Sequence, residues 1–259
     1  MFENRYPLFN SGRLLKIEML EELRDFPREF FDAHFKGYSD GIICGCDLEV
    51  SDNYICIRKG VIKHQDTLYI LKDEEKISYE CNNKLMILKA KFLPEILDSD
   101  FKIHSTEMSL TEGLELRENE IEICRFKLRN GAKLRINHMD FNDLSTEYDT
   151  VNTINAPYSA YGDISLSPEI LRRFGIELLE LNLSEPWDIT FAMMCVQSKE
   201  AIQKEIIISY LINKLNIERK NYSNEELYNF LLNVLNSEKN GQGSKMNKGS
   251  GRFKKILID

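Results

Sequence analysis

Apolar positions near the start of the chain fall at Leu14, Ile17, Leu20, Leu23, Phe26, Phe30 and Phe35, steps of three to five that match one face of a helix. Pro27 interrupts the run. Proline is accepted in a first turn but not in a helix interior, so the pattern predicts one helix to about Asp25 and a short second one from Pro27 to about Phe35, ended by Gly37. The aromatic cluster Phe26, Phe30, Phe31 and Phe35 has to pack on something.

From about Tyr38 to Ile136 the pattern changes to short β-like runs: "GIICGCDLEV", "YICIRKG", "TLYILK", "KLMILKAKF", "EIEICRFKL" and "AKLRI". Turn formers separate them at Asp52-Asn53, Gln65-Asp66, Asn82-Asn83 and Asn130-Gly131. Asn130-Gly131 predicts a type I′ hairpin, because that turn needs positive φ at both centre positions. Before it, Ile121 and Ile123 alternate in one phase and Cys124, Phe126 and Leu128 in the other, which predicts a β-bulge near Ile123.

Helical spacing returns from about Ser167 to Asn236. Ser167-Pro168 reads as an N-cap with proline at N1, opening "PEILRRFGIELLEL". Glu200 to Asn216 is apolar on most sides and predicts a central helix. Ser223 and Glu226 form a capping box ahead of Leu227, Phe230, Leu231, Val234 and Leu235. The resulting class is α+β: short N-terminal helices, a mainly antiparallel β-sandwich or barrel, a small helical bundle and a flexible arm. The expected boundaries are a helical segment at 1–37, a β-sandwich-like domain at 38–138, an acidic connector at 139–166, a helical bundle at 167–237 and a basic arm at 238–259.

Composition and charge narrow the partners. The chain has 259 residues, 42% hydrophobic and 29% charged, with no apolar run of the roughly 18–20 residues that a membrane span needs. No transmembrane insertion is expected. The N-terminal residues lack a basic stretch followed by an apolar one, so no Sec-type signal peptide is expected and the location reads as cytoplasmic, or within an assembled particle. Net charge is −8; residues 238–259 carry six Lys/Arg against two acids, so the body is more acidic than the whole. An acidic body argues against a nucleic-acid partner, because phosphate neutralisation dominates such binding.

Six cysteines, at 44, 46, 56, 81, 124 and 195, contain no C-x-x-C pair, and His34, His64, His104 and His138 are scattered. They read as reduced packing residues, with Cys44 and Cys46 on one face of a strand, rather than as metal or redox ligands. No metal or cofactor is expected. The sequence has no P-loop, G-x-G-x-x-G, G-x-S-x-G or H-E-x-x-H, and no enzymatic activity is expected. Acids gather only in the connector, at Asp140, Asp143, Glu147 and Asp149 beside His138. A calcium loop fails there, since Leu144 takes the fifth position and Ser145 stands where glycine is needed. The plain expectation is a solvated or capping role; a carboxylate pair acting on or binding carbohydrate, with Tyr158 and Tyr161 nearby, is the alternative function. Trp187, the sole tryptophan, reads as core packing or as an interface anchor. The partner-contact residues singled out are Trp187, Phe253, Ile256, Leu257 and Ile258, the last four in the arm.

The run "DGIICGCDLEVSDNYICIRKGVIKHQDTLYIL" resembles a recurring glycine, strand, turn, strand, glycine pattern in β-domains of phage tail and baseplate proteins. With the preceding "PLFNSGRLLKIEMLEEL" it is similar to the shoulder-like N-terminal domain of the type VI secretion baseplate adaptor, which a helical neck follows. The resemblance covers roughly residues 8 to 71, and the helical half agrees in order. It implies a non-enzymatic assembly component of a contractile tail or phage-tail-like injection particle, joining other subunits as a homo-oligomer, with a trimer the implied count. The chain departs from that family's order in that no receptor-like third domain is read after the helices.

Overall fold

The computed structural model describes residues 3–246, with side chains to residue 241. The chain divides after Tyr38 into two compact units. The first is built on α1 (Ile17–His34), one helix that runs through Pro27 without a break. The division expected at Asp25 is thereby corrected. Proline removes the donor that would meet the Leu23 carbonyl, but the turns before and after keep theirs, and a helix of about five turns absorbs one lost bond.

In the second unit the strands are β1 (Gly41–Gly45), β2 (Leu48–Val50), β3 (Tyr54–Ile57), β4 (Gly60–His64), β5 (Thr67–Leu71), β6 (Glu75–Ser78), β7 (Leu85–Phe92), β8 (Ile96–Leu97), β9 (Lys102–Ile103), β10 (Thr106–Glu112) and β11 (Glu120–Lys127). They form three antiparallel sheets, ordered β1-β4-β5, β2-β3-β6 and β10-β7-β11, and a β8-β9 ribbon. The α+β class with antiparallel sheets is therefore the observed one. The bulge is observed too: β11 slips register against β7 between Glu122 and Cys124, and residues 121–124 are all buried.

"GIICGCDLEV" is two strands in two sheets. Gly45 (φ 65°) and Cys46 (φ 58°) are both left-handed and turn the chain between them. Glycine is required at 45, where a Cβ would lie 2.2 Å from the Lys59 carbonyl oxygen. The turn, with a register slip between Ile42 and Cys44, rotates the two cysteines apart: Cys46 is buried and Cys44 exposed. The expectation that they share a face is corrected. Burial pushes the Cys46 and Cys195 thiols up to about 12. In the folded protein a small alkylating reagent should modify Cys44 and Cys81, and Cys46, Cys56, Cys124 and Cys195 only after denaturation, counted by intact mass.

The Asn130-Gly131 turn forms, closed by the Ala132 N–H on the Arg129 carbonyl at 3.1 Å, but only Gly131 has positive φ. It is not type I′, and "AKLRI" does not return as a strand. The edge of β11 that a hairpin would use is taken by the connector. Asp149 N–H donates to the Lys127 carbonyl at 2.9 Å, and Arg125 and Asn152 exchange bonds at 2.8 and 2.9 Å.

Four helices complete the unit: α2 (Pro168–Leu179), α3 (Pro186–Gln197), α4 (Lys204–Leu215) and α5 (Asn224–Met246). Ser167 caps α2 by accepting from Glu169 N–H at 3.2 Å. The capping box closes both ways, Ser223 N–H to Glu226 at 2.7 Å and Glu226 N–H to Ser223 Oγ at 3.2 Å. α4 starts at Lys204 rather than Glu200, because the Ile202 carbonyl is held outside the helix by Ser165 Oγ at 2.5 Å. α2 and α3 cross closely at Gly175, where a Cβ would lie 2.6 Å from the Ala192 carbonyl oxygen. The arm does not begin at residue 238: α5 continues to Met246, with Glu238 paired to Lys214 at 2.7 Å and Lys239 to Glu177 at 3.0 Å. Phe253, Ile256, Leu257 and Ile258 lie outside the described residues.

Candidate functional site

The connector is a seam between two cores. Phe141, Leu144 and Ile154 belong to the helical core with Phe174, Leu211 and Leu231, while Val151 and Ala156 belong to the β core with Ile55, Leu88 and Phe126. A segment that buries side chains in both must fix its backbone polar groups, and its acids do that. Asp140 caps a short 3-10 turn (Asn142–Ser145), accepting from Asp143 N–H at 2.9 Å. Asp143 is buried, takes both arms of the Arg135 guanidinium at 2.6 Å each, and accepts from Met139 N–H at 2.8 Å and Thr146 Oγ1 at 2.7 Å. The Arg135 fork, the backbone donor and the hydroxyl together outweigh burial and hold its carboxyl well below the usual carboxylate range.

Asp149 sits in a left-handed conformation (φ 59°) and accepts the Arg129 side chain and, at 3.0 Å, its backbone N–H. Glu147 meets Lys127 at 3.2 Å. His138 bonds through Nε2 to the Val151 carbonyl at 2.9 Å, and burial pushes its pKa down. From the helical side, Glu177 accepts the Phe141 N–H, Tyr228 donates to the Phe141 carbonyl at 2.6 Å, and Arg173 donates to the His138 carbonyl at 2.8 Å. The four connector acids thus serve backbone geometry and ion pairs with Lys127, Arg129 and Arg135. Tyr158 is half-buried and exchanges backbone bonds with Ser165, whereas Tyr161 borders a cavity with Lys204 and Arg219. Among the described residues, no group of three or more His, Cys, Asp or Glu could hold a metal ion, and no helix is long and apolar enough to cross a membrane.

Two helices among the described residues each expose several large apolar side chains. Trp187 is not core packing: it lies in the first turn of α3 and is 62% exposed. Ile189, Met193 and Met194 are exposed on the same helix. The sequence concealed this helix because apolar residues cover both of its faces, which erases the period.

α1 is the larger surface. At about 100° per residue, Glu18, Glu21, Glu22, Asp25, Glu29 and Asp32 line one side, and Leu20, Leu23, Phe26, Phe30 and Phe31 the other. None of its residues is buried; Leu23 is 49% and Phe30 58% exposed. The aromatic cluster packs on itself, with ring centroids 5.8 Å apart for Phe30–Phe31 and 6.5 Å for Phe31–Phe35, and Phe35 meets His34 and Tyr38 edge-on. Such a stripe is the face that an interface helix offers to a groove.

No protein-family model matches the chain, and no curated protein matches it. Solved structures similar to it include a crystal structure of TssK, 9% identical over 92% of this chain and 72% of that one, with a TM-score of 0.40. Another is the TssK-TssF-TssG baseplate subcomplex of a type VI secretion system, 10% identical over 90% of this chain and 100% of that one, TM-score 0.40. A third, the type VI secretion baseplate complex, is 10% identical over 90% and 100%, TM-score 0.33.

Proposed function

We propose that the chain is a non-enzymatic adaptor of a contractile-tail or injection-particle baseplate, a homo-oligomer that links subunits through protein contacts. The observation that carries this reading is α1: an amphipathic helix with an aromatic-rich apolar stripe and no buried residue. Water is a poor solvent for that stripe, and covering it is worth about 25 cal/mol per Å² of apolar surface. The opposite, acidic side keeps the helix soluble before assembly. The connector acids are engaged in turn capping and in ion pairs with Arg129 and Arg135, which fits a structural rather than a catalytic role. The baseplate context rests on the sequence resemblance over residues 8 to 71.

The test is co-expression with the products of adjacent genes, followed by mass measurement of the purified species. Sheath, tube and spike genes alongside, and a multi-subunit complex containing this chain, are the expected result. A lone monomer that joins none of those products contradicts it.

A further inference from the structure

The outer face of α3 is left uncovered by the described residues. Phe191, Ala192 and Cys195 are buried against the core, while Met193 lies opposite them and Trp187, Ile189 and Met194 flank it, all four exposed. Four large apolar side chains on one helix face form a strip rather than scattered exposure. At its N-terminal end, Trp187 borders a cavity of about 360 Å³ whose charged lining is Glu185, Asp188, Glu238 and Lys214. Lys214 is already shared, 2.6 Å from Asp188 and 2.7 Å from Glu238, so the lining carries excess negative charge beside an apolar strip.

A short peptide that mixes basic and large apolar residues fits that surface. The chain contains one: Arg252-Phe253-Lys254-Lys255-Ile256-Leu257-Ile258. Reach allows it to act within one molecule. α5 passes the cavity at Glu238 and runs eight residues further to Met246, a rise of about 12 Å at 1.5 Å per residue. The six residues 247–252 span up to roughly 20 Å when extended, enough to return Phe253 to the cavity whichever way α5 points. A tether of that length presents the peptide at an effective concentration on the order of mM, so a weak contact suffices.

We propose that the C-terminal segment 252–258 docks on the outer face of α3 of its own chain, with Phe253 beside Trp187 and the basic side chains toward Glu185 and Glu238. The contact is independent of assembly. Trp187 is the sole tryptophan, so its fluorescence reads the site without ambiguity. The experiment compares acrylamide quenching of the full chain with that of the full-length triple variant Phe253→Ser, Ile256→Ser, Ile258→Ser, across a dilution series, with circular dichroism as the folding control. The expected result is severalfold stronger quenching and a red-shifted emission in the variant, with the parent's protection unchanged by dilution. Equal quenching in the two proteins overturns the proposal. So does protection that is lost on dilution, which would assign the segment of a second copy to this face.

Discussion

Replacing Leu20, Leu23 and Phe30 together by aspartate should abolish assembly and leave the folded chain intact. The three side chains share one side of α1 and are all exposed. Interface residues at the centre of a contact contribute about 2 kcal/mol or more each. With about 1.4 kcal/mol per factor of ten and incomplete additivity, affinity for a partner subunit should fall by roughly a thousandfold or more. The change removes no buried side chain, so unfolding free energy should move by no more than about 0.5 kcal/mol per site, or about 1.5 kcal/mol in all. Titration calorimetry against the purified partner and a urea melt separate the two effects. Undiminished binding would remove α1 from the interface.

The second large effect is expected at Asp143. Asp143→Ala breaks the paired fork from Arg135 and leaves the Met139 N–H and the Thr146 hydroxyl without their acceptor. Arg135 is itself 39% exposed and can rehydrate, so the loss is that of charge-assisted hydrogen bonds, about 1.5–3 kcal/mol, which for a chain of this size lowers Tm by roughly 3–12 °C. The pH dependence has a definite sign. Asp143 is held below its ordinary range in the folded state, so its stabilisation is complete above the unfolded carboxylate pKa of about 4 and is lost as pH falls below that. Asp143→Asn should therefore flatten the acid limb of the stability curve, whereas Glu147→Gln, at an exposed pair with Lys127, should leave it nearly unchanged. Calorimetric melts between pH 3 and pH 7 measure both.

These two sites differ in how far the sequence disclosed them. The stripe of α1 was legible, because its apolar spacing is local and periodic; only Pro27 misled, by suggesting a break that the neighbouring turns prevent. The Ser223–Glu226 box, the Ser167 cap and the bulge near Ile123 were legible for the same reason. The acids of the connector were visible as a cluster, but their partners were not. Arg135 lies eight residues before Asp143, and Glu177 thirty-six after Phe141, and nothing local links them.

β10 escaped notice because "TEMSLTE" is mostly polar, yet it pairs along β7 from Thr106 opposite Phe92 to Glu112 opposite Met86. The hairpin expected after Asn130-Gly131 is absent because Asp149 and Asn152 occupy the β11 edge. Cys44 and Cys46 separated because the conformation at Gly45 breaks a strict two-residue alternation. α3 has no period to read. For β10 and the hairpin a tertiary contact overrode the local pattern.

Amide hydrogen exchange across residues 17–34, measured on the chain alone and in complex with the subunits that co-purify with it, shows whether α1 is the assembly face. An interface helix should exchange fast when alone and become strongly protected in the complex. Exchange through α1 that stays equally fast in a stable complex would contradict the account.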